Sequence, residues 1–220
     1  MPAVCITDYN NLMGSFHFLK SLENINKKNK SENKKTLKPI IGITLNVCED
    51  HLDRSRRDDG YQIVFLAKNK KGYKNLSKLS SLAYTKGFYY VPRVDKDLVL
   101  NFKDDLIVLT GNTYGEVSSK LLNIGEKQAE ESLLWWNRHF KDDLYIEIMR
   151  HNLEDENRIN PVLIKFSVKH NIKLVATNSV FYLTKEQANS HDILLCVKDG
   201  EKQSTPIGRG RGFRYGLPNH

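Results

Sequence analysis

Short apolar runs and amphipathic helical segments take turns along the chain, and this alternation restricts the fold more than any single motif. Ala3–Thr7, Lys38–Val47, Gln62–Ala67, Leu106–Thr110, Leu144–Met149 and Ile172–Ala176 have strand length and are rich in Ile, Val and Leu. Helical spacing fills the gaps: Leu12, Phe16, Leu19 and Leu22, then Leu76, Leu79 and Ala83 within Gly72–Tyr84. Further helices are expected at Val117–Ile124, Glu126–His139, Asp155–His170 and Lys185–Cys196. Pro161 predicts a kink in the helix that contains it, or a helix beginning near Asn160. Such alternation favours parallel strands joined by right-handed crossovers, closed as a barrel or open as a doubly wound sheet. No repeat or linker interrupts it, so 1–220 reads as one domain, and no Gly-rich phosphate loop is present.

Function concentrates where such strands end. Ile172–Ala176 reads as a strand buried on both faces, breaking into the polar Thr177-Asn178-Ser179 before Thr184-Lys185-Glu186 opens a helix. At the other strand ends stand Asp8-Tyr9, Thr44 and Asn46, Gln62, Thr110-Gly111-Asn112 and Arg150-His151-Asn152. Hard divalent ions need several converging carboxylates and imidazoles. Here only Asp8 and His151 have that chemistry, too few for a hydrolytic metal cluster.

Charge and cysteines set further bounds. The net charge is +8, and Asn26–Lys38 (NKKNKSENKKTLK) supplies six lysines against one glutamate. That run reads as a solvated loop, with a phosphate-contacting arm as the sharper alternative. Arg209-Gly210-Arg211-Gly212-Phe213-Arg214 has the look of an RGG segment, weak support for nucleic-acid binding. Three scattered cysteines, Cys5, Cys48 and Cys196, fit reduced thiols in a cytoplasm and offer no zinc spacing. Neither a signal peptide nor an apolar run of about 18 residues is present, so no membrane partner is expected.

Six stretches carry a resemblance. They are Ala3–Asp8, Lys38–Gly42, Leu66–Leu76 (LAKNKKGYKNL), Ala83–Lys96 (AYTKGFYYVPRVDK), Val175–Asn178 and His191–Cys196 (HDILLC). In this order, across nearly the whole chain, they resemble the N-terminal PHP (polymerase and histidinol phosphatase) domain of bacterial DNA polymerase III alpha subunits. The resemblance implies a distorted β/α barrel whose first strand is missing or truncated here. It also implies a parent protein that is a DNA-directed DNA polymerase using Mg, with its palm beyond residue 220. The implied partners are the rest of that chain, replisome subunits including the proofreading exonuclease, and DNA through the parent.

The departures from the family carry the functional expectation. No His-x-His pair exists in this sequence. The family's Asp-His is Asp8-Tyr9 here, its Glu is Thr44, its next His is Gln62, and its Cys is Asn112. Its Asn-Asp-x-His is Asn178-Ser179-Val180-Phe181, so only Asp8 and His151 stay in place. The resemblance therefore implies a dismantled metal site, no cofactor and no catalysis in this domain. A metal-dependent phosphoesterase or 3′–5′ exonuclease with a residual site is the alternative.

The remaining polar and aromatic residues have simpler readings. His151 is expected as a hydrogen-bonded histidine at a strand end, and Asp8 as a cap or loop acceptor. Glu147, between Ile146 and Ile148, should find a hydroxyl or a base. Trp135 and Trp136 are candidates for a partner surface, or one is core and the other half-buried. His17, His139, His170 and His191 read as surface or packing residues.

Overall fold

A computed structural model describes residues 2–205 of the chain. Seven strands and seven α-helices follow one another: β1 Ala3–Tyr9, α1 Ser15–Ser31, β2 Lys38–Cys48, β3 Tyr61–Ala67, α2 Lys70–Thr85, β4 Val94–Asp95 and α3 Lys96–Asn101. Then come β5 Leu106–Leu109, α4 Glu116–Asn123, α5 Glu126–Phe140, β6 Leu144–Ile148, α6 Glu154–His170, β7 Lys173–Ala176 and α7 Ala188–Asp199. They build one sheet in the order β1-β2-β3-β5-β6-β7, with β4 branching from β2.

Period-two patterning divides the sheet into two faces. Ile43, Leu45, Ile63, Phe65, Val108, Leu144 and Ile146 point to one side and are buried beneath the helices. There they meet Leu76 and Leu79 of α2, Val117 of α4, Leu133 and Trp136 of α5, and Leu163 and Phe166 of α6. Each large apolar side chain buried this way contributes about 1.5–3 kcal/mol, so this layer holds the fold together. The alternate residues, Val64, Leu66, Ile107, Leu109, Tyr145 and Val175, line a cavity on the opposite face. Both edge strands, β1 and β7, line that same cavity, so the sheet curls into a half-barrel.

Four expectations change. The strands are not all parallel: β3 runs antiparallel to both β2 and β5. The charged segment between β2 and β3 holds no helix, so the chain turns back instead of crossing over. Ile172–Ala176 is not buried on both faces. Its strand β7 is an edge paired only to β6, and among these residues only Ile172 is buried.

The lysine-rich run is not wholly a loop, because α1 continues to Ser31. Lys propagates helix well, and Glu23 pairs with Lys27 one turn on at 2.8 Å. The Asn26 side chain then clasps the returning chain, bonding both N–H and C=O of Leu37 at 2.8 Å. On α1 itself Phe16 and Leu19 are exposed, and Leu22 alone of the expected apolar stripe is buried. The helix expected at Asp155–His170 is present as α6, Glu154–His170, with Pro161 inside it, which sets aside the alternative of a start near Asn160.

Two polar devices fix the loops around the sheet. The N-cap Asn69 of α2 accepts from the N–H groups of Lys71 and Gly72 at 2.8 and 3.1 Å. Arg93, 1% exposed, donates to the carbonyls of Gly87 (3.1 Å), Asp58 (3.1 Å), His51 (3.3 Å) and Asp53 (2.8 Å). One guanidinium thus ties the whole 49–60 loop to the body of the domain.

Candidate functional site

The concave cavity has a volume of about 860 Å³. Strand register explains how its polar residues gather at one end. Val64 faces Leu109, and Leu109 faces Tyr145, so two residues further on Gln62, Gly111 and Glu147 share one row. Because β3 is reversed, its first residues lie level with the last residues of its neighbours. Asp8, Tyr9, Thr44, Gln62, Asn112, Ser179 and Phe181 all line this cavity, so seven of the eight positions expected at the site are brought together.

The eighth, His151, stands just behind Ser179. Its Nδ1 lies 2.5 Å from Glu156 Oε1, its main-chain N–H donates to Glu156 Oε2 at 2.5 Å, and Ser179 N–H donates to its Nε2 at 3.3 Å. With Ser179 N–H at Nε2 and Glu156 Oε1 at Nδ1, both ring nitrogens are committed to local partners.

The other site residues are likewise occupied with local structure. Asp8 Oδ2 accepts from Gly14 N–H at 3.2 Å just before α1, the loop-acceptor role expected of it. Thr44 Oγ1 donates to the carbonyl of Thr7 at 3.2 Å. Asn112 Oδ1 closes a turn by accepting from Tyr114 N–H at 2.8 Å. Ser179 Oγ lies against Met149 Sδ, and the Phe181 ring stacks on His191 at 5.1 Å between centroids. Tyr9 sits exposed at the rim.

Glu147 is the polar residue at the cavity's centre. It is 4% exposed, and its Oε1 accepts from Thr177 Oγ1 at 2.5 Å, the hydroxyl partner expected of it. The nearby Gly111 N–H also favours its charged form. Burial pushes that carboxyl above its ordinary range, more than these two donors lower it. Desolvation by the surrounding cavity wall, and secondarily Glu147, pushes the Cys5 thiol up to about 11 and raises the Tyr9 phenol as well, although both residues keep part of their surface in solvent.

The tryptophans lie on the far side of the sheet. Trp136 is core, 1% exposed, with Nε1 donating to Glu116 Oε2 at 2.8 Å. It is therefore withdrawn as a partner-surface residue, since adjacent helical positions cannot share one face. Trp135 is half-buried, with Lys96 Nζ 4.5 Å from its ring centroid. Lys96 and Lys120 each bond Glu116 Oε1 at 2.8 Å. Burial works against the charged form of Glu116, yet the two lysines outweigh it and hold its carboxyl below the ordinary value.

Sequence reading missed this buried network, whose members are scattered along the chain. It also missed Arg93, although that residue lies inside the Ala83–Lys96 stretch. The basic cluster at Arg209–Arg214 lies outside the described residues.

Could a metal be held in the cavity? Its lining offers two carboxylates, Asp8 and Glu147, of which one caps a loop and the other is buried under a hydroxyl. The imidazole of His151 has no free nitrogen. This donor set does not fit a polynuclear metal site. Among the described residues, the three groups close enough to share an ion are Asp50, His51 and Asp95, in the 49–60 loop and at the α3 N-cap. There Asp95 already accepts from His51 and Leu98.

The half-barrel thus carries helices on its convex face and gathers strand-end polar groups in its hollow. The PHP domain family model matches residues 1–151, and the chain belongs to that family. Its relatives are more particular. The DNA polymerase III subunit alpha of Borreliella burgdorferi is 34% identical over 208 residues, 93% of this chain and 17% of that protein. The same subunit of Campylobacter jejuni is 35% identical over 215 residues, and that of Treponema pallidum 37% over 211, with the same shares covered. The chain thus spans about a sixth of the length of these relatives. No helix among the described residues is long and apolar enough to cross a membrane.

Proposed function

We propose that this chain serves as the PHP module of the alpha chain of a bacterial replicative DNA polymerase, and that it does so without catalysing a reaction. The parent would extend DNA with Mg in domains other than this one and work in the cytoplasm. The module would support that chain and present its outer surface to replisome proteins, the proofreading exonuclease among them. The single observation that carries the non-catalytic reading is His151. The one imidazole retained at the site spends both nitrogens on Glu156 and Ser179.

The chemistry of the cavity agrees with this. General-base activation of water needs an ionised carboxylate or a free imidazole aimed at open space. Glu147 is biased toward its neutral form, and Asp8 is bonded to Gly14 N–H. Among the described residues, no Lys or Arg lines the cavity to receive a phosphate.

Metal content and nuclease activity test the proposal together. The purified chain should carry less than stoichiometric zinc, iron or manganese and leave 3′-labelled single-stranded DNA intact with added manganese. Stoichiometric metal, or cleavage abolished by His151→Ala, would instead establish a metal-dependent phosphoesterase.

A further inference from the structure

Two oxygens in the concave cavity are buried without a hydrogen-bond partner: Oε2 of Glu147 and Oε1 of Gln62. They belong to the same row of the sheet, on either side of Gly111. The residue between them in the row must be glycine because of its own backbone. Gly111 has φ +83°, and a Cβ there would lie 2.1 Å from the carbonyl oxygen of Gln62. The row therefore holds two long polar side chains with no side chain between them. As bare acceptors both oxygens are costly, about 1–3 kcal/mol each for a buried polar atom left unpaired.

One proton satisfies both. Thr177 Oγ1 already donates to Oε1 of Glu147, which leaves Oε2 as the atom to carry a hydrogen. Apart from the Thr177 hydroxyl and the Gly111 N–H, whose pull burial outweighs, the lining offers no positive charge to favour the anion. The titratable groups lining the cavity are Cys5, Asp8 and Tyr9 on β1 and Tyr145 on β6, and Tyr114, after β5, acts on Tyr9. None is a cation at neutral pH.

We infer that Glu147 keeps its proton at neutral pH and donates it from Oε2 to Oε1 of Gln62 across Gly111. The resident ligand of this cavity is then a proton, and the acid–amide bond ties β6 to β3 over the intervening strand. The inference rests on the reading of the cavity as metal-free and adds what fills that role. The competing arrangement has the Gln62 amide reversed, its NH₂ facing an ionised Glu147.

Infrared difference spectroscopy on the 220-residue chain separates the two. At pH 7 the wild type should show a protonated-carboxyl stretching band that Glu147→Gln removes. The band should shift in Gln62→Met, which keeps the side chain's length but loses the acceptor. Glu147→Gln preserves a donor toward Gln62, so it should match wild type below pH 4.5 and be the more stable of the two at pH 7, whereas Gln62→Met should raise the unfolding constant about ten-fold. The sign of the pH dependence follows from the raised carboxyl. The stabilisation is complete below the ordinary value of 4.5 and declines as pH rises toward the folded-state value, a decline that Glu147→Gln should abolish.

If no protonated-carboxyl band is present at pH 7, or Glu147→Gln keeps the wild-type pH dependence, the proton tie is wrong. If Glu147→Gln fails to fold, the wild-type band and its loss on raising the pH decide alone. Bound metal would overturn the metal-free reading in a separate measurement.

Discussion

His151 and Glu156 make a two-point contact. The imidazole Nδ1 meets Oε1 of the glutamate and the histidine's own main-chain N–H meets Oε2, each at 2.5 Å. Glu156 is the third residue of α6, and its Oε2 also accepts from Leu153 N–H at the helix start. The contact therefore fastens the end of β6 to the first turn of α6. Ser179 N–H on the imidazole's other nitrogen adds the loop after β7.

From this, His151→Ala should destabilise the domain by about 1–3 kcal/mol, because Glu156 would be left buried with one partner fewer. His151→Asn, which keeps a donor near Oε1, should recover part of that loss. Urea denaturation of the three proteins checks the order, and equal midpoints would refute it.

Gly111→Ala should be among the most damaging of small substitutions. It combines a left-handed backbone with a Cβ 2.1 Å from main-chain oxygen, and neither can relax without moving β3. A loss above about 2 kcal/mol is expected by thermal unfolding. Gly200→Ala offers a control, with φ +68° but nothing within 4 Å. It should cost about 1 kcal/mol or less.

Glu116 should shape the acid limb of stability. Its carboxyl is held below the ordinary 4.5 in the folded protein, so its contribution is present above that value. The contribution is lost as pH falls through the lower folded-state value. Glu116→Gln should lower stability at pH 7, through unpaired Lys96 and Lys120, and flatten the decline between pH 5 and pH 3. Stability curves at several pH values would show it, and a parallel offset at every pH would contradict it.

The adjacent tryptophans should separate cleanly. Trp136→Ala removes a ring packed against Phe65 and Phe140 and the donor to Glu116 Oε2, at about 3–5 kcal/mol. Trp135→Ala should cost markedly less and quench fluorescence from the partly exposed ring. Comparable losses would show that Trp135 is as structural as its neighbour.

Much of this was readable in the sequence because it depends on local period. The apolar run in Gln62–Ala67 and the helical stripe Leu76, Leu79, Ala83 are properties of neighbouring residues. So is Gly125, which divides α4 from α5 where expected. What escaped depends on which strands become neighbours. Ile172–Ala176 is as apolar as a central strand, yet it is an edge, and nothing within five residues encodes that. The reversal of β3 was signalled by the helix-free charged stretch before it, though not its consequence of bringing Gln62 level with Glu147. Likewise the site residues could be placed at strand ends, while the commitment of both His151 nitrogens required Glu156 and Ser179 to arrive from separate segments.

Arg93 carries a consequence for how this surface can change over generations. It grips the 49–60 loop by main-chain carbonyls of His51, Asp53 and Asp58, groups that every amino acid possesses. Substitutions among the exposed residues of that loop leave the grip intact, whereas an insertion or deletion moves the carbonyls off the guanidinium. The loop can rewrite its outward chemistry freely, provided it keeps its length.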